Sequence, residues 1–90
     1  MALFDLLGRT WSMGIIWQLE GGPYTFRVLQ GRCDEVSPSL LNKRLKELRA
    51  TSLVALSPEG YHLTTLGEEL LGLLKQMGDW STEWAEQIRT

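Results

Sequence analysis

The chain contains little of several residue types on which whole classes of protein depend. It has one cysteine, Cys33, and one histidine, His62, so neither an internal disulfide nor a cluster of His and Cys metal ligands can form. No apolar run approaches the ~18 residues that span a membrane, and no basic segment precedes an apolar core near residue 1. We therefore expect a cytoplasmic protein with no membrane segment and no metal or other cofactor.

The same scarcity argues against catalysis. With His62 as the sole histidine, no set of histidine, carboxylate and nucleophile can be assembled, and no glycine-rich phosphate loop follows a candidate strand. The adjacent Glu68 and Glu69 are more simply explained as negative charge near a helix N-terminus. We expect no enzyme activity.

Net charge is small but unevenly distributed. The total of −2 taken alone disfavours a nucleic-acid partner. Between residues 27 and 49, however, six basic residues face three acidic ones, an excess of three positive charges. From residue 64 onward, two basic residues face five acidic ones, an excess of three negative charges. A basic middle is therefore followed by an acidic C-terminal part.

Hydrophobic spacing predicts a mainly α fold with a short β-hairpin (α+β), in a single domain over residues 1–90. Short helices are expected near residues 3–7, ended by Gly8, and near residues 11–19, capped by Thr10. Tyr24 and Thr25 are predicted as a strand of one or two residues. A two-turn helix begins near Phe26.

The stretch over residues 36–54 is the most informative part of the chain. Ser37 followed by Pro38 is a helix start, with a capping oxygen and a pre-set φ at the first helical position. An apolar face follows at positions i, i+4 and i+7, and at about 100° per residue the opposite face is polar and basic. The apolar face carries Leu41, Leu45 and Leu48; the polar face carries Ser39, Asn42, Lys43 and Lys46, with Arg44 and Arg49 on its flanks. Such a helix suits a DNA major groove, but it is equally typical of a solvated surface helix.

The neighbouring elements complete a winged helix-turn-helix. The two helices joined by residues 34–36 form the helix-turn-helix over about residues 26–52. Two strand candidates around the turn at residues 58–60 form a wing over about residues 54–64. A long helix over about residues 65–89 follows. Thr64 or Thr65 begins it, and Thr65 and Glu68 are at the spacing of a capping box.

That final helix carries a heptad-like apolar row that is expected to form a homodimer. Its spacing of 4-3-4-3-4 is typical of a helix that packs against a partner helix. The predicted interface consists of Leu3 from the first helix and of Leu66, Leu70, Leu73, Met77, Trp80 and Trp84.

The ordered set of motifs resembles the HxlR-type winged helix-turn-helix transcriptional regulators of bacteria and archaea. The positions that carry the resemblance are Gly8, Trp11, Gly22, Pro23, Phe26, Leu29, Val36, Ser37, Leu41, Arg44, Leu45, Leu48, Leu53, Val54, Leu63, Thr64, Gly67 and Trp80. The resemblance implies a sequence-specific DNA-binding regulator with a long C-terminal dimerisation helix, acting as a homodimeric repressor on a two-fold operator of double-stranded DNA.

Candidate DNA contacts follow from the resemblance and from the polar face of the Ser37 helix. N-terminal residues of a recognition helix usually enter the groove deepest, while flanking arginines bind phosphates. The candidates are Ser37, Ser39, Asn42, Lys43, Lys46, Arg44, Arg49, Arg27 and Tyr24. As an alternative, Arg44 pairs with Asp34 or Glu35 and has a structural role only.

Two departures from the family pattern support an alternative function. Thr10 stands where the family usually has a lysine, and the wing is short and carries Glu59 at its tip. The alternative is a winged-helix module that binds another protein and no longer binds DNA.

The four tryptophans and the single cysteine each allow two interpretations. A small aromatic effector bound between the terminal helices would use Trp11, Trp17, Trp80 and Trp84, but their helical spacing favours core and interface positions. Cys33 continues an apolar helix face, so a buried thiol is favoured over a redox sensor.

Overall fold

Residues 2–89, which the computed structural model describes, form five α-helices and one two-stranded hairpin. The elements in chain order are α1 (Leu3–Leu7), α2 (Ser12–Gln18), α3 (Phe26–Arg32), α4 (Pro38–Ala50), β1 (Val54–Ser57), β2 (Gly60–Leu63) and α5 (Thr65–Ile88). This order confirms the mainly helical fold with a hairpin and a long C-terminal helix.

Hydroxyl side chains cap the start of α3, α4 and α5. Thr25 Oγ1 accepts from the backbone N–H of Val28, and Ser37 Oγ accepts from that of Leu40. Pro38 occupies the first turn of α4, so the predicted start of this helix is confirmed. At α5 the cap is Thr64, whose Oγ1 accepts from Gly67 N–H at 3.1 Å. The predicted capping box of Thr65 and Glu68 is therefore wrong by one residue.

The start of α2 also differs from the prediction that Thr10 caps it. Trp11 is the N-cap residue, with φ of 71° in the left-handed region and no side-chain cap hydrogen bond. Its indole ring packs on Gly14, where an added Cβ would lie 2.6 Å from the ring atom Cε3. This local contact, three residues along the chain, needs the absence of a side chain at Gly14, and a capping rule does not detect it.

The leucine stripe of α4 lies at the centre of the core. Leu41, Leu45 and Leu48 are almost completely buried, as their spacing predicts. They belong to one cluster to which all five helices and both strands contribute, either directly or through adjoining residues. Its other members are Leu6, Leu7, Ile15, Ile16, Leu19, Leu29, Cys33, Val36, Val54, Leu63, Leu70, Leu71 and Leu74. The opposite face of α4 is left for solvent.

The hairpin pairs β1 with β2 in antiparallel register, from Val54 opposite Leu63 to Ser57 opposite Gly60. Tyr24 adds a one-residue bridge: its N–H donates to Tyr61 O at 2.9 Å, and Tyr61 N–H donates to Tyr24 O at 2.8 Å. The predicted short strand is confirmed at Tyr24, whereas Thr25 instead caps α3.

Helix α5 has two adjacent apolar faces and not a single seam. The buried face holds Gly67, Leu70, Leu71 and Leu74, all in the first half of the helix. The exposed row lies roughly a quarter turn away at about 100° per residue; it consists of Leu66, Leu73, Met77, Trp80, Trp84 and Ile88. Leu70, predicted for the dimer interface, is only 8% exposed and packs in the core. The heptad spacing runs along the boundary between the two faces and so mixes their residues.

Cys33 is completely buried at the C-terminal end of α3. Burial raises the pKa of its thiol, the neighbouring Asp34 raises it further, and Arg32 acts in the opposite direction. Because the thiolate is the reactive form, the burial of Cys33 and the raised pKa of its thiol both slow its reaction with electrophiles.

We expect iodoacetamide to alkylate Cys33 far more slowly in the native protein than in denaturant. Cys33→Ser should lower the free energy of unfolding by about 1–2 kcal/mol, because it places a hydroxyl in an apolar site. Mass spectrometry of alkylation time courses and urea unfolding measure the two effects. Equal alkylation rates in the native and unfolded states would show that the thiol is accessible.

Candidate nucleic-acid interface

The solvent-facing side of α4 combines hydrogen-bonding groups with positive charge. Its side chains are all exposed: Ser39, Asn42, Lys43, Lys46 and Arg49. The spacing of the buried leucines places them there, since a helix that buries positions 41, 45 and 48 presents its opposite face to water. Serine, asparagine and lysine can bond to base edges, and lysine and arginine neutralise phosphates.

Most of the exposed basic residues of α3 and α4 have no internal partner. Among residues 2–89, Arg27, Lys43, Lys46 and Arg49 form neither an ion pair nor a side-chain hydrogen bond. Most cations elsewhere are occupied: Lys75, for example, pairs with Glu20 across the gap between α5 and the end of α2, whereas Arg89 at the end of α5 has no such partner within residues 2–89. The unpaired cations are therefore concentrated on α4 and on α3, which precedes it.

The only acidic residue of α4 is turned inward. Glu47 accepts from Arg9 Nη1 at 2.6 Å and from Arg44 Nη1 at 3.1 Å, and its side chain is 18% exposed. Two guanidinium groups thus neutralise this carboxylate. The charge that α4 presents to solvent is therefore wholly positive.

Arg44 does not lie on the exposed face. Its side chain is 11% exposed, and besides Glu47 it contacts Thr10, whose carbonyl oxygen accepts from Arg44 Nε at 2.8 Å. The alternative in which Arg44 forms a structural bridge is thus the arrangement found, but the predicted partners Asp34 and Glu35 are wrong. They lie in the turn before α4, whereas Arg44 faces the turn between α1 and α2.

Tyr24, a further candidate outside α4, is held by neighbouring groups. Its hydroxyl donates to Glu20 O at 3.1 Å, and the guanidinium carbon of Arg32 lies 4.5 Å from the ring centroid. Arg32 Nε in turn donates to Gln18 O at 2.9 Å. Tyr24 and Arg32 thus join α2, α3 and the hairpin.

The turn between α3 and α4 sets the position of the basic helix. Asp34 and Glu35 both adopt left-handed backbone conformations, with φ of 55° and 56°. Gln30 closes the turn from α3, because its Nε2 donates to Val36 O at 2.9 Å and its carbonyl accepts from Glu35 N–H at 3.0 Å. Two consecutive left-handed residues reverse the chain tightly between the helices.

The wing supplies no positive charge. The sequence from Leu53 to Leu63 contains neither lysine nor arginine, and the exposed tip residues are Pro58 and Glu59. The Ser57 hydroxyl donates to Gly60 O at 3.1 Å and closes the tip. Attraction for phosphates must therefore come from the helices.

A second exposed surface lies along α1 and α5. A groove of about 400 Å³ between these helices is lined by Leu3, Phe4, Leu7, Leu70, Leu73, Leu74, Gln76, Met77 and Trp80. Beyond it, the rings of Trp80 and Trp84 stack with centroids 6.1 Å apart and planes 9° from parallel. Gln76 is the only polar residue of the groove lining.

A basic helix that follows the turn of a helix-turn-helix is the arrangement expected of a DNA-binding regulator. The family model of the HxlR-like helix-turn-helix matches residues 6–89. The chain belongs to this family. As an HxlR-like protein it is a helix-turn-helix regulator of transcription that binds DNA, and the resemblance inferred from the sequence is confirmed.

YvaP and YodB, two relatives of this HxlR-like chain, are both named HTH-type transcriptional regulators. YvaP of Bacillus subtilis, an uncharacterized HTH-type transcriptional regulator, is 32% identical over 89 residues, and the match covers 91% of this chain and 82% of YvaP. Quinone-bound YodB from B. subtilis superimposes with a TM-score of 0.83 at 32% identity, covering 89% of this chain and 91% of that chain. A possible HxlR family transcriptional factor from Thermoplasma volcanium, at 23% identity, also has a TM-score of 0.83, over 96% of this chain and 84% of that one; it supports the fold alone.

The described residues of the HxlR-like chain contain neither a metal cluster nor a membrane-spanning helix. In the part of the sequence that the structure describes, no three His, Cys, Asp or Glu side chains come together in a way that could hold a metal ion. None of the helices within residues 2–89 is both long and apolar enough to cross a bilayer.

Proposed function

We propose that the chain is a homodimeric repressor that places α4 of each protomer in one of two successive major grooves of a two-fold operator. The observation that carries the proposal is the outer face of α4, where unpaired cations flank groups able to bond to bases. Repression, as opposed to activation, rests on the resemblance to the family alone.

Within this proposal the residues of α4 divide by their position along the helix. Ser39, Asn42 and Lys43 lie in its N-terminal half and are assigned to base edges, since recognition helices contact bases with that end. Lys46, one turn later, lies along the groove. Ser37, whose oxygen is used by Leu40 N–H, keeps its hydroxyl proton for a phosphate.

Phosphate contacts are assigned to the two unpaired arginines of α3 and α4. Arg49 is in the last turn of α4, and Arg27 is in the first turn of α3. Arg44 is omitted from the proposed surface because its guanidinium is occupied by Glu47 and the Thr10 carbonyl. Tyr24 is omitted because its hydroxyl is bonded to Glu20.

The second protomer is assigned to the exposed row of α5. Met77 is 60% exposed and Trp80 is 63% exposed, and the buried residues of α5 all precede them. An apolar surface of this length beside an apolar groove is typical of a protein–protein interface. A second copy of the chain offers the same row, as a two-fold interface requires.

A small aromatic effector is part of the proposal for the same groove. YodB, a relative at 32% identity, has been solved with a bound quinone. In this chain Phe4, Met77 and Trp80 line an apolar groove with the volume of a small ring compound. The effector, if it binds there, would alter the surface that the second protomer contacts.

Selection from random DNA tests the proposal. We expect an inverted repeat with half-sites about 34 Å apart, one helical turn. Lys43→Ala should lower operator affinity by about 1–3 kcal/mol per half-site and relax the preference at one base position. Arg49→Ala is the matched variant for a phosphate contact: it should weaken all sequences alike and reduce the salt dependence by about one unit of slope per site.

The selection is best run near ~50 mM salt, where phosphate contacts contribute most. Specific binding should fall steeply as salt rises. If no sequence is enriched, and binding is unchanged when Lys43→Ala is combined with Asn42→Ala, the protein-binding module becomes the better description.

A further inference from the structure

A polar network joins the recognition helix α4 to the turn between α1 and α2 at two points. One point is Glu47, whose two carboxylate oxygens accept separately from Arg9 and Arg44, at 2.6 and 3.1 Å. The other is Arg44 itself, whose Nε donates to Thr10 O at 2.8 Å. Arg9 and Thr10 are adjacent, so both points connect α4 to the same short segment.

This network differs from an ordinary surface ion pair. Exposed pairs contribute little because water screens them and two long side chains must be ordered. Here the side chains of Arg44 and Glu47 are 11% and 18% exposed, and each makes two polar contacts. Directional hydrogen bonds also restrict the rotation of a helix about its axis. The packing of leucine side chains restricts this rotation less strictly.

Resting on the DNA-binding function proposed above, we propose that Glu47 is a positioning residue for sequence recognition. It lies on the recognition helix but contacts no DNA. Together with Arg9 and Arg44 it fixes the orientation in which α4 presents Asn42 and Lys43 to the bases.

Charge alone predicts the opposite effect of removing this carboxylate. Neutralising an acid on a DNA-binding helix increases its attraction for phosphates and tightens binding to every sequence. If Glu47 instead orients α4, its loss leaves the attraction for phosphates intact and disturbs only the contacts to base edges. The ratio of specific to non-specific affinity therefore distinguishes the two roles.

The test is Glu47→Gln in the full chain, with affinities measured for the selected operator and for a scrambled duplex at the same salt. The amide keeps the shape of the carboxylate, but it has one acceptor oxygen where two guanidinium groups need two. We expect the ratio to fall about tenfold, with binding to the scrambled duplex unchanged or tighter. Glu59→Gln at the wing tip is the control, since it removes one exposed acid with no side-chain partner among residues 2–89; its ratio should not change.

Arg9→Met provides a second route to the same result, away from the outer face of α4. Arg9→Met should lower the ratio of specific to non-specific affinity by a similar factor. Combining it with Glu47→Gln should lower this ratio no further than either single variant, because both substitutions disrupt the same network. An unchanged ratio in Glu47→Gln and Arg9→Met, with a selective wild-type protein, overturns this inference alone. A wild-type protein with no sequence preference overturns the proposed function and the inference together.

Discussion

Gly67→Ala is expected to destabilise the chain by roughly 2–3 kcal/mol, although alanine is the better helix former. Gly67 lies in the first turn of α5, where a Cβ would stand 2.1 Å from the carbonyl oxygen of Leu53 and 3.2 Å from Leu63 Cδ2. The Leu53 carbonyl also accepts from Thr64 N–H at 3.1 Å, and Thr64 Oγ1 donates to Ser52 O. A backbone atom of the residue before β1 cannot rotate away, so α5 must shift from the hairpin.

Gly72→Ala in the same helix is the matched control. Apart from its chain neighbours and the backbone of α5 itself, no heavy atom of the described chain lies within 4 Å of a Cβ built at Gly72. The substitution should therefore add the usual gain of about 0.5–1 kcal/mol for replacing glycine in a helix. Urea unfolding of the two variants should place the wild type between them. A stabilised Gly67→Ala variant would show that α5 and β1 are not in close contact.

Features governed by local rules were predictable from the sequence. The start of α4 was predicted by Ser37 and Pro38, and its buried face by the spacing of leucines, because both depend on residues within two or three turns. The hairpin around Pro58 was predictable for the same reason. These features place the outer face of α4 correctly without any knowledge of the tertiary contacts.

Features that depend on distant partners were not predictable. Arg9 and Glu47 are 38 positions apart, and nothing in either neighbourhood specifies the other. The signal available was weak: Glu47 is the only acid on a basic helix, which indicates that something must neutralise it. Arg44 is predicted to contact DNA or to pair with Asp34 or Glu35, although Glu47, three residues away, is the acid that it bonds. Its other partner, the Thr10 carbonyl, is brought to it only by the fold.

The division of α5 into a buried and an exposed face shows a further limit of sequence patterns. A row of apolar residues indicates that a surface is buried, but it does not indicate which neighbouring element or protomer covers that surface. The protomer itself covers Leu70, whereas Leu73, three residues later, is 56% exposed. The residues left exposed after the protomer has folded are the better candidates for an interface with a second copy.

The double variant Leu73→Gln/Met77→Gln is expected to convert a dimer into a monomer. Both side chains lie in the exposed row of α5. In a two-fold interface each substitution occurs twice, so four apolar side chains lose their burial together. At about 1.5–3 kcal/mol for each buried side chain, the dimerisation constant should weaken by at least about 1000-fold. Sedimentation velocity at micromolar concentration measures the change directly.

The control variant is Leu56→Gln/Met13→Gln, which changes the same two residue types. Leu56 in β1 and Met13 in α2 are 47% and 46% exposed, and neither belongs to the α5 row. The control variant should remain dimeric. The Leu73→Gln/Met77→Gln variant should in addition lose ~100-fold or more in operator affinity, because its two recognition helices no longer bind as one unit. A wild-type protein that sediments as a monomer, or an α5 variant that stays dimeric, would remove the exposed row of α5 from the interface.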